Sequence, residues 1–132
     1  MSGRRIGGPR RDALALAGLL TVTGLTHFAR PRPFDAIMPR SLPGNPRTWT
    51  YLSGAAELAV AAAVLHPRTR PLGGLAAAAL FAAVFPANVQ MAIDWRHAPP
   101  LRRAIAYGRL PLQAPLVWWG VRVARSGSQR PR

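Results

Sequence analysis

The chain has 132 residues, with 18 basic groups against 4 acidic ones and no cysteine, which allows a single domain. Only 17 % of the residues are charged and 49 % are hydrophobic, whereas an average soluble domain carries roughly 25 % charged residues. Without cysteine, disulfides, thiolate nucleophiles, iron–sulfur ligation and cysteine zinc sites are excluded, so any redox role must borrow its electron carrier. A net charge of +14 would suit a nucleic-acid partner. Here, however, every basic residue is an arginine, and the arginines punctuate apolar runs of nearly membrane-spanning length instead of forming one surface with interleaved aromatics. No nucleic-acid partner is expected, and the lipid bilayer is.

In chain order, the first apolar segment runs from Ala13 to Ala29 behind Arg4, Arg5, Arg10 and Arg11. It could open a signal peptide, but it ends in Thr26, His27, Phe28, Ala29, Arg30 and Pro31, bulky and basic where cleavage needs small residues, so a retained helix is expected. Residues Arg30 to Thr48 follow as a stiff loop with Pro31, Pro33, Pro39, Pro43 and Pro46. Phe34 to Met38 is expected to make a short apolar turn that lies on the membrane or caps the helices, with Asp35 as a cap or turn residue. The second segment spans Trp49 to Leu65, the third Leu72 to Ile93 and the fourth Ile105 to Ala124. A helix of 17 residues is about 25 Å long, a little under the roughly 30 Å hydrocarbon core, which leaves the first two little slack to tilt. Leu75 to Ala87 has no polar residue on any face, which excludes a helix of a soluble bundle.

The expectation is an all-α membrane four-helix bundle, up-down-up-down, with residues 1–132 forming one integral membrane domain between basic tails. The tail from Ser126 to Arg132 is expected to be disordered. The N-terminus, second connection and C-terminal end hold ten arginines against seven on the other two connections, which favours cytoplasmic termini.

Polar groups inside membrane helices are costly, so each needs a partner and a reason. Five stand out: Glu57 at the middle of the second helix, Asn88 in the third, Arg109 and Gln113 one turn apart in the fourth, and His27 near the end of the first. Alternating helix direction places Glu57 at the midplane and the other four in the half next to the proline-rich loop. Thr50, Ser53, Gly54 and Glu57 form one small and polar stripe, and Thr23 stacks with His27. An ion pair between Glu57 and Arg109 is expected, with Asn88 and Gln113 completing the cluster. Pro86 and Pro111 should free the carbonyls of Ala82 and Tyr107 beside it. Arg122 is near enough to its helix end to reach the headgroups, and Gln90 faces away from Asn88. His66 lies at the opposite end from His27 and His97, which weakens a haem reading; His27, His97 and Asp94 lack metal-ligand spacing, and no metal is assigned.

The cluster supports two roles: a ligand site of Glu57, Asn88, Arg109, Gln113 and His27, or structural glue in a non-enzymatic assembly or lipid-binding protein. The run from His27 to Pro43, then Ser53 to Glu57, Phe85 to Asn88 and Arg109 to Gln113, resembles the DoxX-like membrane proteins over about Ala13 to Arg125. That resemblance implies a four-helix protein of the bacterial inner membrane and association with oxidoreductase subunits, with a quinone as a lipophilic carrier. A homo-oligomer is compatible with it. Glu57, Asn88, Arg109 and Gln113 match that family's recurrent polar positions. Whether the chain is itself an enzyme is left open, and no catalytic residue is assigned.

Overall fold

The computed structural model describes residues 8–128, and among them the chain is all-helical. Five helices follow one another: α1 Gly8–Ala29, α2 Pro31–Ile37, α3 Pro46–Leu65, α4 Arg70–Asp94 and α5 Pro100–Ser128. The segment carrying Arg4 and Arg5, and the tail beyond residue 128, lie outside the described residues; residues 126–128, expected to open a disordered tail, instead form the last residues of α5.

The helices begin earlier than hydropathy suggests, because proline starts helices as readily as it interrupts them. Pro46 follows Asn45, whose side chain caps α3 by accepting the Arg47 N–H at 2.9 Å. Gly44, with φ of 83°, makes the left-handed turn into that cap. Pro71 stands in the first turn of α4, and Pro100 opens α5. The loop expected over residues 30–48 likewise contains α2, with Pro31 and Pro33 at its start and the Arg30 N–H bonded to the Thr26 carbonyl at 2.8 Å.

Three helices, α1 from Arg10, α3 and α4, are long and apolar enough to cross a membrane. The fourth apolar segment is not among them: between Arg103 and Arg122 the stretch includes Arg109, Gln113, Pro111 and Pro115, which lower its mean hydropathy. Large apolar side chains stay exposed on the outer faces, among them Val22, Leu52, Leu72, Leu101 and Trp118.

Between helices in lipid there is little hydrophobic driving force, so close packing must hold them together. Two glycine crossings supply it. Gly24 of α1 faces Gly54 of α3, where an added Cβ on Gly54 would lie 2.8 Å from the His27 Cβ and 3.1 Å from the Gly24 carbonyl. Gly74 of α4 faces Gly120 of α5, where a Cβ on Gly74 would lie 2.5 Å from the Ala124 amide nitrogen. The α3–α4 hairpin joins these two pairs, and an ion pair of 2.9 Å between Asp12 and Arg122 ties the start of α1 to the end of α5. Arg122 therefore pairs within the protein, where the sequence suggested headgroup contact. At the hairpin end the centre is filled by Leu16, Leu20, Val64 and Val123. At the other end a smaller cluster of Ile37, Ala87, Met91, Ala92 and Ala106 leaves space between the helices.

Candidate binding cavity

That space is a cavity of about 690 Å³, and His27, Glu57, Asn88, Arg109 and Gln113 all line it. Its other walls are mostly apolar, including Leu19, Phe81, Val84, Leu112 and Leu116, with Ser53 and Thr23 adding hydroxyls. Phe34, Ile37, Met38 and Leu42 close it from α2 and the following loop.

The glycine crossing decides the partner of Glu57. Because α1 lies close against α3 at Gly24 and Gly54, His27 is brought to Glu57, with Nδ1 at 3.3 Å from Oε2. The expected ion pair with Arg109 is absent. Helices α3 and α5 are not close neighbours, so the short Glu57 side chain meets α1 instead, and Arg109 lines the cavity half-buried. His27 is itself buried, stacked on Phe34 with ring centres 3.8 Å apart and planes 20° from parallel. Its Nδ1 lies 2.6 Å from the Thr23 carbonyl, which can only accept, so Nδ1 carries a proton directed there.

A second chain of bonds joins α4 to α5. The Asn88 amide donates to Gln113 Oε1 at 2.7 Å, and Gln113 Nε2 donates to the Phe81 carbonyl. The carbonyl engaged by a cavity side chain is that of Phe81, where those of Ala82 and Tyr107 were expected. Pro115 adds a second interruption in α5 after Pro111. Among the described residues two buried side-chain oxygens stay without hydrogen-bond partners, Glu57 Oε2 and Asn88 Oδ1.

The lid is held by Asp35, whose role was legible only as a turn residue. One carboxylate oxygen accepts the Thr50 hydroxyl at 2.6 Å and the other the Arg47 Nε–H at 2.8 Å. Burial raises the Asp35 carboxyl, but the hydrogen bonds from Thr50 and Arg47 and the Arg47 charge outweigh it and hold the group below the ordinary aspartate value. The available sequence signal was the i, i+3 spacing of Arg47 and Thr50, one face of α3 turned toward the loop. Arg40 adds an outer contact, 3.5 Å from Asp94, which also accepts from Gln90 at 2.9 Å.

The other histidines stand apart. His97 is exposed, and His66 ends α3 at the far end, accepting from the Arg68 N–H at 3.2 Å. Among the described residues no three His, Cys, Asp or Glu side chains gather as a metal site.

A family model described as a domain of unknown function, DUF8561, matches residues 16–124. The chain belongs to DUF8561. No curated protein and no solved structure matches it. The DUF8561 region runs from Leu16 in the core to Ala124 beside Gly74, and so includes the five polar side chains, the lid and both glycine crossings.

Proposed function

We propose that this DUF8561 protein is a DoxX-like membrane subunit of an oxidoreductase system, and that its cavity holds a lipophilic carrier such as a quinone. The observation that carries this reading is the cavity of about 690 Å³ that combines apolar walls with the polar side chains of His27, Glu57, Asn88, Arg109 and Gln113. Ligand pockets have this composition: apolar surface for affinity and a few placed polar groups for orientation. Intramembrane ionisable groups, here Glu57 and Arg109, are a further reason to assign a function.

In this reading α5 is the fourth span of an up-down-up-down bundle. Some twenty residues, about 30 Å of helix, separate Arg102 and Arg103 from the Arg122–Asp12 pair, so charge stands at both ends of a membrane-length stretch while Arg109 stays inside facing the cavity. With both termini in the cytoplasm of a bacterium, the cavity lies in the outer half of the inner membrane, under the lid. The chain has no cysteine, so the redox centre belongs to a partner subunit and this protein binds and orients the carrier.

A structural reading, in which the cluster only fastens helices, is favoured by one observation: Gln113 bridges α4 and α5 through Asn88 and the Phe81 carbonyl. It leaves the unpaired Glu57 and Asn88 oxygens without a purpose. Titration of purified protein with ubiquinone and menaquinone, each oxidised and reduced, separates the two. A rise in thermal midpoint that is lost when Val84→Trp fills the cavity is expected. No rise with any of them, or an equal rise in Val84→Trp, would refute carrier binding.

A further inference from the structure

We infer that the polar end of the cavity receives a hydroxyl-headed lipophile and rejects the form of the same molecule that offers only acceptors. This rests on the proposal that the cavity binds a lipophile, and it specifies the chemistry of the head.

Two backbone carbonyls set that polarity. The Phe81 carbonyl can only accept, so it fixes the Gln113 amide with Nε2 toward it and Oε1 toward Asn88. Gln113 Oε1 in turn takes the Asn88 Nδ2 proton, which leaves Asn88 Oδ1 as the free end of the chain. On the opposite wall the Thr23 carbonyl takes the His27 Nδ1 proton, so that proton is not aimed at Glu57 Oε2 even though the two atoms are 3.3 Å apart. Glu57 Oε2 is thereby also left without a donor. Asn88 is 3 % exposed and Glu57 8 %, so bulk solvent scarcely reaches either.

Asn88 Oδ1 can only accept, and so can Glu57 when ionised, so the guest must bring an O–H or N–H group, because an unpaired buried acceptor weighs against any complex that leaves it so. The other polar wall groups do not oppose this choice. Arg109 only donates, and an ether or a hydroxyl oxygen satisfies it equally; Ser53 and Thr23 hydroxyls both donate and accept. For a quinone-type carrier the preference is for the reduced, dihydroxy form.

The test uses the full chain in lipid nanodiscs with two probes of matched shape, 4-nonylphenol and its methyl ether, and reads dissociation constants from ligand-dependent thermal midpoints. The phenol should bind at least about tenfold more tightly than the ether. Asn88→Leu and Glu57→Met should weaken the phenol and strengthen the ether, narrowing the gap between them. Equal affinities for the two probes, both lost in Val84→Trp, would overturn the inference while leaving a lipophile-binding cavity in place. Binding of neither would overturn the cavity reading and this inference together. If the polar-site variants fail to fold, the comparison of the two probes on the unaltered chain decides.

Discussion

Replacing Asp35 by alanine should loosen the lid while leaving the helices below it in place. The Thr50 hydroxyl, which is fully buried, loses its acceptor at 2.6 Å. A buried hydroxyl left unpaired costs about 1–3 kcal/mol. Arg47 lies at the exposed rim and regains water, so its share is small. The stack of Phe34 on His27 and the burial of Ile37 remain, so α2 is weakened but not released. A loss of about 2 kcal/mol corresponds to a roughly thirtyfold rise in lid opening. Amide hydrogen exchange over residues 31–45 measures that opening directly. In a Thr50→Val background the same Asp35→Ala change should cost much less, since no hydroxyl is left behind. Unchanged exchange over 31–45, or a rise spread equally over α4 and α5, would refute the assignment of Asp35 as the clasp.

Because the Asp35 carboxyl is held below its ordinary value of 3.8, the stabilisation from its ionised form is fully present above that pH and disappears as pH falls through the lower folded value. Trp49, whose indole N–H donates to the Pro43 carbonyl at 2.7 Å, reports this by fluorescence when the other tryptophans are phenylalanine; lid loosening that begins well above pH 3.8 would contradict it. Gly74→Ala should lower the thermal midpoint, at a cost of about 1–3 kcal/mol, because the new methyl meets backbone of α5 that cannot move aside. Gly18→Ala, where nothing lies within 4 Å, should raise it by the roughly 0.5–1 kcal/mol that alanine gains over glycine in a helix, and shifts of the same sign in both variants would contradict the crossing.

The apolar runs located all four long helices, and the polar stripe Thr50, Ser53, Gly54 and Glu57 turned inward as its spacing implied, with Thr50, Gly54 and Glu57 buried and Ser53 half-buried. Helix starts were read late because Pro46, Pro71 and Pro100 look like loop residues when they are first-turn residues. The five polar side chains could be placed at neighbouring depths, since depth follows from position along each helix. Their pairing could not, because periodicity identifies a face without saying which helix it meets. Gly24 opposite Gly54 makes α1 the neighbour of Glu57, and that depends on the three-dimensional crossing. The Phe81 carbonyl was equally hidden, since main-chain oxygens leave no mark in a residue string.

Gln113 takes its orientation from a main-chain oxygen, and this has an evolutionary consequence. A change of side chain at position 81 alters the packing of the wall but leaves in place the atom that decides which way two amides point. A lineage could therefore widen or narrow the chamber for a bulkier or slimmer guest, residue by residue, and inherit the same electrical polarity at its inner end. Reversing that polarity would require losing the glutamine or asparagine itself, a single abrupt step with no graded intermediates.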